Sequence, residues 1–288
     1  MKKLLVISGK GGTGKTTVAA ALIGFSQAKA AADCDVDAPN LHLVLSPGAP
    51  AEKRDFFGAE KAGVDTQKCT GCGLCAAHCR FGAISVCGGR AFVREHACEG
   101  CGVCSLVCPS GAVSLRADTA GTLFLHRGER IFSSAELTMG RGNSGKLVTE
   151  VKTALFRTAK GVPLAVLDGS PGIGCPVIAS ISGADLVLMV AEPSVSGMSD
   201  LQRLVKTASA LQARMAVCVN KYDVSPETTR EICSFCESCG IPLVGKIPYD
   251  KAAAEAVNAG RSLFEEKGPA HDALCGIYEK ISVLLEIQ

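Results

Sequence analysis

Short apolar runs, each followed at once by a glycine-rich or polar segment, recur along the chain. The first is LLVI at residues 4–7, and others end at Asp168, in DLVLMVAEPS at 185–194 and in MAVCVNKYD at 215–223. Continuous runs of this length are typical of strands buried on both faces of a parallel sheet. VAAALIGFSQA, just after the first loop, is predicted to be a helix. The pattern therefore predicts an α/β fold, with loops that carry function at the carboxyl ends of the strands.

Two further helices are predicted in the second half of the chain. In one, Ser225 is the expected N-cap, Pro226 stands at the first helical position, and Gly240 ends the helix. In the other, apolar residues recur at helical spacing from Leu274 to Leu285. Its polar face lacks the positive charge of a membrane-binding amphipathic helix, so we expect it to pack on the core.

Composition narrows the class of protein. The chain has 288 residues, a net charge of +2 and scattered rather than clustered Lys and Arg, which disfavours nucleic acid and anionic membranes as partners. No apolar stretch approaches a membrane span, and the run after the first two lysines is too short for a signal peptide. We therefore expect a cytoplasmic protein. In that reducing compartment its 16 cysteines are expected to bind metal rather than form disulfides.

The segment GKGGTGKTT at residues 9–17 lies between the first predicted strand and the first predicted helix. It fits the P-loop pattern G-x-x-x-x-G-K-[ST]. In such a loop the glycines let backbone N–H groups turn toward phosphates, the lysine neutralises charge and the hydroxyl of Thr16 binds Mg²⁺. The sequence therefore predicts a nucleotide site. Its expected residues are Gly9, Lys10, Gly11, Gly12, Thr13, Gly14, Lys15, Thr16 and Thr17.

A lysine directly follows the first glycine of this loop, and KGGTGKT resembles the deviant Walker A motif of the MinD, ParA, Mrp and nitrogenase iron-protein group of ATPases. The resemblance implies that Lys10 reaches into the partner subunit of an ATP-bound homodimer. DCDVDAPNLHL at 33–43 resembles the switch I segment of this family, which makes Asp35 the carboxylate that positions the attacking water. Asp33 and Asp37 are left between the Mg²⁺ shell and hydrogen bonds within the loop. The expected catalytic residues are Lys10, Lys15 and Asp35.

Two later segments complete the expected nucleotide site. PLAVLDGSPGIGCPV at 163–177 resembles Walker B with switch II, which places Asp168 near Mg²⁺ and lets the following glycines respond to the γ-phosphate. In NKYD, Asp223 fits the motif that reads guanine, whereas the family resemblance implies that Asn220 reads adenine. Because the loop and switch segments resemble the ATPases, we expect ATP rather than GTP. Cys175, close after switch II, is expected to be packed.

Two runs of cysteine share the spacing C-x2-C-x2-C-x3-C, and the second ends in proline. This is the pattern of bacterial two-cluster ferredoxins, in which the fourth cysteine of each run ligates the other cluster. Zinc would instead use paired C-x2-C knuckles. Arg80 stands where proline usually follows the first run. The expected ligands are Cys69, Cys72, Cys75 and Cys108 for one 4Fe–4S cluster, and Cys98, Cys101, Cys104 and Cys79 for the other.

The cysteine-rich region has too little apolar mass to fold without clusters. We therefore expect a small α+β ferredoxin-like domain at residues 63–117, inserted between parts 1–62 and 118–288 of a P-loop domain whose mostly parallel sheet has helices on both faces. The chain as a whole resembles MinD-superfamily ATPases that contain an inserted ferredoxin domain. NSGKL at 143–147 resembles a segment of that branch, and no role follows for it. The longer segment GRGNSGKL at 140–147 nearly repeats the P-loop pattern, but Leu147 replaces the hydroxyl that would bind Mg²⁺, so no second nucleotide site is expected.

This combination leaves three functions open. ATP-driven dimerisation could gate electron transfer to a redox partner, or the protein could deliver Fe–S clusters or another metal cofactor to a client. It could also be a ParA- or MinD-like positioning ATPase with structural or redox-sensing clusters. Full ligation by cysteine favours electron transfer over donation. Cys233, Cys236 and Cys239 lie on one arc of a predicted helix and are left between a third metal site and ordinary buried cysteine.

Overall fold

The computed structural model describes residues 1–287, and the predicted apolar runs form strands in it. The strands are β1 (Lys2–Ile7), β2 (Ala30–Asp33), β3 (Ala51–Phe57), β4 (Lys61–Val64), β5 (Ile84–Cys87), β6 (Arg90–Val93), β7 (Val113–Arg116), β8 (Thr119–Arg127), β9 (Ile131–Leu137), β10 (Leu164–Asp168), β11 (Leu186–Ala191), β12 (Met215–Asn220) and β13 (Leu243–Ile247).

Helices follow most of these strands, as expected for an α/β fold. They are α1 (Lys15–Phe25), α2 (Leu41–Leu45), α3 (Leu74–Ala77), α4 (Val103–Leu106), α5 (Ser144–Thr158), α6 (Cys175–Ile181), α7 (Val195–Ala210), α8 (Pro226–Ser238), α9 (Lys251–Asn258) and α10 (Pro269–Leu285), with a 3-10 turn at Glu95–Ala97.

The large sheet has the strand order β13-β12-β11-β1-β10-β2-β9-β8-β3. Every neighbouring pair from β13 to β9 is parallel, which confirms the predicted mostly parallel α/β fold. Leu4 and Val6 of β1 pack in one core with α1 and α10. Leu5 and Ile7 alternate with them and are also fully buried, so both faces of this strand are covered.

Two compact units make up the chain. The first contains residues 1–53, 123–136 and the chain from Ser144 onward. Its α8 begins as predicted, because the hydroxyl of Ser225 accepts a hydrogen bond from the backbone N–H of Thr228. The apolar stripe of α10 is buried on the core, which confirms the packing predicted for that helix. No helix within residues 1–287 has both the length and the apolar character needed to cross a bilayer.

The second unit contains residues 54–122 and 137–143, and the predicted insert at 63–117 lies within these bounds. It has two small antiparallel sheets, β4 with β7 and β5 with β6. Two four-residue helices, α3 and α4, follow glycines whose φ angles are both 78°. The buried residues of this unit are mostly small or cysteine. Its main hydrophobic cluster consists of Ala62, Cys75, Ala83, Ile84, Ala91, Cys98, Cys104 and Val113.

Candidate functional site

The phosphate loop turns tightly between β1 and α1. Gly12 and Gly14 have φ angles of 80° and 90°, a region that favours glycine. A Cβ on Gly9 would lie 2.2 Å from Asp200 Cβ, and one on Gly14 would lie 2.3 Å from Asn220 Nδ2. By contrast, a Cβ on Gly11 or Gly12 would meet nothing within 4 Å. The loop is therefore closely packed behind and open in front, as a backbone cradle for an anion requires.

A cavity of about 770 Å³ lies in front of this loop, within the first unit. It brings together three segments that are far apart in sequence: the loop, the residues around Asp35, and the residues after Asp168. The buried hydroxyl of Thr13 has no hydrogen-bond partner among residues 1–287, which fits a site that receives a polar ligand. Of the site residues predicted from the sequence, those that line this cavity are Lys10, Gly11, Gly12, Gly14, Lys15, Thr16, Thr17 and Asp35.

Lys15, Thr16 and Asp168 form one polar network at the carboxyl end of β10. The amine of Lys15 lies 2.6 Å from Asp168 Oδ1 and 3.8 Å from Asp35 Oδ2. The hydroxyl of Thr16 lies 2.6 Å from Asp168 Oδ2. Burial raises the pKa of Asp168, while Lys15 and Thr16 act in the opposite direction. Hydroxyl and carboxylate oxygens are ligands that Mg²⁺ accepts together with phosphate oxygens and water.

The switch-I-like segment is held by Asp33. One of its carboxylate oxygens accepts from the N–H of Asp35, and the other accepts from the N–H groups of Asn40 and Leu41, all at 2.9 Å. Burial raises the pKa of Asp33, and the neighbouring Asp168 raises it further. The structure thus gives Asp33 a loop-bonding role, while Asp37 is exposed. Sequence reasoning did not single out Asn40, whose Oδ1 lies 3.0 Å from the Thr16 hydroxyl.

Lys10 contacts a carboxylate of its own chain. Its amine lies 3.0 Å from Glu192 Oε2 and donates to the hydroxyls of Ser194 and Ser196. Lys221 lies 3.3 Å from the other Glu192 oxygen. Burial alone would raise the pKa of Glu192, but the hydrogen bonds from Lys10 and Lys221 lower it overall. The reach of Lys10 toward a partner subunit stays a prediction, and the sequence contained no motif that pointed to Glu192.

A second cavity, of about 220 Å³, adjoins the phosphate loop at Gly12, Gly14 and Thr17. Asn220 lines it, and its Nδ2 donates to the backbone oxygen of Thr13 at 2.8 Å. Most of the remaining wall comes from β13, α9 and the turn between them, which no sequence motif had marked. Asp223 does not line this cavity, and its Oδ1 accepts from the backbone N–H of Tyr249 at 2.7 Å.

Seven of the eight predicted ligand cysteines gather in two groups, and no contact among the described residues places the eighth, Cys72. Burial raises the pKa of the Cys75 thiol, and the nearby Cys108 and Cys69 raise it further. Burial likewise raises the pKa of Cys104, together with Cys98 and Cys101. Cys108 belongs to the second cysteine run, yet it lies close enough to Cys75 of the first run to raise the pKa of that thiol. A separate cavity is lined by four thiols from both runs. These are Cys79, Cys98, Cys101 and Cys104.

Backbone N–H groups point at four of these sulfurs. The bonds form two matched pairs: Ala62 to Cys98 and Ala91 to Cys69 at 3.4 Å, and Ala83 to Cys79 and Ala112 to Cys108 at 3.3 Å. Within residues 1–287, no three His, Cys, Asp or Glu side chains are grouped so that they could hold a single metal ion. A 4Fe–4S cluster is held by four separate thiolates, so its ligands need not converge on one point.

The cysteines of α8 and Cys175 differ in how far they are buried. Cys236 is 1% exposed on the inner side of α8, and burial raises its pKa to about 11. Cys239 is exposed, and the choice between a third metal site and ordinary cysteines stays a prediction. The expectation that Cys175 is packed is wrong. Its Cβ and backbone pack closely on Gly145, but the residue is exposed at an open cavity between α5 and α6.

Comparison with known protein families agrees with the nucleotide site. A family model described as the CobQ/CobB/MinD/ParA nucleotide binding domain matches residues 4–263. The chain belongs to this family. Because MinD and ParA members are ATPases, the prediction of a P-loop ATPase is confirmed.

Individual relatives add detail. An uncharacterized protein of Methanocaldococcus jannaschii, MJ0578, is 33% identical over 224 residues, or 76% of this chain and 78% of that protein. A Drosophila melanogaster homolog of the cytosolic Fe-S cluster assembly factor Nubp1 is 35% identical over 68 residues, which is 24% of this chain and 22% of that protein.

Solved structures share the fold. The cell division ATPase MinD of Pyrococcus furiosus has a TM-score of 0.58 at 19% identity, with 98% of this chain and 99% of that chain covered. MinD of Pyrococcus horikoshii, in complex with Mg-ADP, also has a TM-score of 0.58, at 17% identity, with 98% of this chain and 96% of that chain covered.

Proposed function

We propose that this chain is a nucleotide-switch ATPase that couples ATP binding, hydrolysis and dimerisation to a ferredoxin-like unit with two 4Fe–4S clusters, and that it transfers electrons to a redox partner. One observation carries the proposal beyond the family: a cavity of the second unit is lined by Cys79 together with three cysteines of the other run. This is the crossed ligand set that the two-cluster spacing requires.

The nucleotide half of the proposal rests on the polar network of the first unit. Lys15 would compensate phosphate charge, and the hydroxyl of Thr16 with the carboxylate of Asp168 would hold Mg²⁺ when it is bound. Asp35 lies at the edge of the same cavity and orients the water that attacks the γ-phosphorus, with ADP and phosphate as products. The MinD structure with bound Mg-ADP supports this assignment by analogy of fold.

The base pocket supports ATP. Asn220 lines the second cavity and is attached to the phosphate loop through Thr13, so a base held by Asn220 would lie beside phosphates held by the loop. Asp223, the residue that would read guanine, is instead bonded to the backbone at Tyr249 and does not line the cavity. We therefore assign Asn220 to adenine.

The second unit fits iron–sulfur clusters in its donor chemistry. Its thiols fall into two groups, and their negative charges would repel one another without a cation between them. Backbone N–H groups bond to sulfur in both groups, which lowers the negative charge on the ligands and tunes cluster potential. When bound, each cluster would supply one-electron transfer, and the chain's residues hold, orient and shield it.

Cluster or metal-cofactor delivery is the second candidate. The similarity to a Nubp1 homolog, an Fe–S cluster assembly factor, favours it, although the matched segment is short. The two functions differ in iron retention. A donor should lose iron to a recipient during turnover, whereas an electron carrier should keep its full complement.

Comparison of the ATP and ADP states tests the coupling. Asp35→Ala removes the water-positioning carboxylate but keeps the phosphate loop, so we expect ATP-bound dimers to accumulate. Lys10→Ala is the matched control, because it should bind ATP without dimerising. Sedimentation gives the oligomeric state, and EPR gives the cluster signal. We expect the EPR line shape or potential to change only in the dimer. Identical signals in a confirmed dimer and in the ADP form would contradict gating.

A further inference from the structure

The second unit is built from two matched halves, residues 61–89 and 90–118. The pairing of β6 with β5 repeats that of β4 with β7: Ala91 lies opposite Val86 as Ala62 lies opposite Leu115. The N–H···S bonds described above also come in pairs related by this match. The halves therefore share one backbone geometry. The residue at each position of one half shows which side chain that geometry allows at the matching position of the other half.

The halves differ where their side chains face outward. Phe92 corresponds to Gly63, because Phe92 lies opposite Ser85 and Gly63 lies opposite Ser114. One position beyond each strand, Arg94 corresponds to Asp65, and both donate their N–H to the matching carbonyls of Ala83 and Ala112. The shared backbone geometry is thus compatible with glycine and aspartate at these two positions. The backbone pairing by itself therefore does not require phenylalanine or arginine at these positions.

The loop after the first cysteine run differs in the same way. Arg80 and Phe81 follow Cys79, where proline and serine follow Cys108. Phe81 is 48% exposed and Phe92 is 50% exposed. Arg94 donates to the backbone oxygen of Gly82, which brings its guanidinium beside the loop that carries Phe81. The β5–β6 side of the unit, with residues from both halves, therefore carries two phenylalanines and three arginines. The matching positions on the β4–β7 side are Lys61, Gly63, Asp65, Pro109 and Ser110, which include no aromatic residue and one basic residue.

We call this surface the hairpin face. It consists of Arg80, Phe81, Arg90, Phe92 and Arg94.

Charge on the hairpin face has one sign. Arg90, Phe92 and Arg94 alternate along β6 and its extension, so they point to the same side of the strand. In the described chain, none of the three arginines forms an ion pair with a carboxylate; the ion pairs of the second unit involve other residues. Exposed arginine and aromatic side chains are the types enriched at protein interfaces.

The opposite side of the same hairpin faces the thiols. Ala91 is buried, lies between Arg90 and Phe92, and donates its N–H to Cys69 Sγ at 3.4 Å. A molecule seated on the hairpin face would therefore be separated from this sulfur by the thickness of one strand. Such a short path suits electron exchange.

We propose that the hairpin face docks an acidic redox protein, which accepts one electron from the first-run cluster site, held by Cys69, Cys72, Cys75 and Cys108. The inference rests on the proposed function of the second unit. A redox protein is favoured over a nucleic acid because the chain carries a net charge of only +2 and because the strand that bears the face bonds directly to a thiol of the cluster site.

The matched half supplies the test variant. Phe92→Gly with Arg94→Asp places on the hairpin face the residues that the other half uses at the same backbone positions. Arg203→Asp is the control, because it makes the same charge change on an exposed residue of the first unit. Phe92→Ser with Arg94→Ser is a milder second pair in case glycine weakens the strand. Iron content is measured for every protein first.

The full-length protein, pre-reduced with dithionite, is mixed with an acidic flavodoxin, and oxidation is followed by stopped flow. The cluster loses one electron and the flavin gains it. We expect the second-order rate constant to fall at least tenfold in both face variants, to fall with added salt in the wild type, and to be unchanged in Arg203→Asp. The rate constant of electron transfer to a cationic acceptor, cytochrome c, should change little in the face variants.

Three results would overturn the proposal. The rate could be equal in the face variants and the wild type at equal iron content, or cytochrome c could be the acceptor that depends on the face. A single-stranded oligonucleotide that binds the wild type but not the face variants, without any effect on electron transfer, would assign the face to nucleic acid. Absence of iron from the wild type would instead refute the proposed function itself, so the two failures are distinguishable.

Discussion

The two units of this chain are stabilised by different kinds of core. In the first, continuous runs such as Leu4–Ile7 are removed from solvent on both faces of a parallel sheet. In the second, the buried positions are mostly alanine and cysteine, with short strands and four-residue helices. Apolar area is the main source of folding free energy, and a unit with so little of it needs covalent or metal links. The contrast implies that the first unit can fold without a bound ligand, whereas folding of the second unit depends on its clusters.

Their sites differ in the same sense. The phosphate loop is attached to rigid strands, and its tight side is packed against Asp200 and Asn220. Most of the ligand thiols lie on loops shaped by glycines with positive φ, such as Gly71 and Gly100, each of which packs against a backbone carbonyl. A site of the first kind is formed before its ligand arrives. A site of the second kind is expected to form together with its ligand.

Iron removal should separate the units most strongly. Anaerobically purified protein should hold about eight iron and eight sulfide per chain. Chelation should then abolish hydrogen-exchange protection of Ala62 and Ala91 while that of β1 and α1 persists. Cys75→Ser should reduce iron to about four, because one cluster loses a ligand. Cys87→Ser, at an exposed cysteine outside both sets, is the control. Full protection of the second unit without iron would contradict the comparison.

Lys15→Ala should affect only the first unit. Removal of one group that stabilises transition-state charge lowers kcat by about 10²–10³-fold, and steady-state ATP hydrolysis measures it. Iron content should not change. Lys206→Ala, at an exposed lysine of α7, is the matched control. Because Asp168 loses its ion-pair partner, circular dichroism must show that the variant is folded at the assay temperature. Iron loss in a folded Lys15→Ala protein would argue against separate sites.

The effect of substitutions on base preference should be smaller than the effect of Lys15→Ala on kcat. ATP should outcompete GTP, and Asn220→Ala should weaken ATP binding by about tenfold, since a hydrogen bond to the base contributes about 1.4 kcal/mol. Asp223→Asn should leave ATP binding unchanged because Asp223 does not line the pocket. Competition with a fluorescent nucleotide measures both. A preference for GTP that Asp223→Asn abolishes would reverse the assignment.

The smallest effect is expected at α8. Cys233→Ser, Cys236→Ala and Cys239→Ser together should leave the iron count unchanged, because Cys236 is packed in the core. Alanine is chosen at Cys236 so that no hydroxyl is buried. Iron and sulfide analysis of the anaerobic protein is the measurement. A stable count near twelve in the wild type that falls to eight in the variant would give these cysteines a metal role.

Sequence by itself determined the elements whose signals lie in neighbouring residues. The buried strands were readable because a parallel strand is apolar at every position, and the phosphate loop because its glycines must be consecutive with Lys15 and Thr16. The start of α8 followed from Ser225 and Pro226 in the same way. The cysteine spacing predicted two ligand sets and their exchange of fourth members, which iron analysis has to test.

Only the tertiary structure decided which distant residues meet. Asp33 holds the switch-I-like loop rather than facing the nucleotide, Lys10 contacts Glu192 of its own chain, and the base pocket is closed by β13, α9 and the turn between them. Cys175, expected to be packed, is exposed. The physical reason is the same in each case. A local pattern encodes backbone geometry and burial, whereas a contact between distant side chains depends on how the strands and helices are ordered in the sheet.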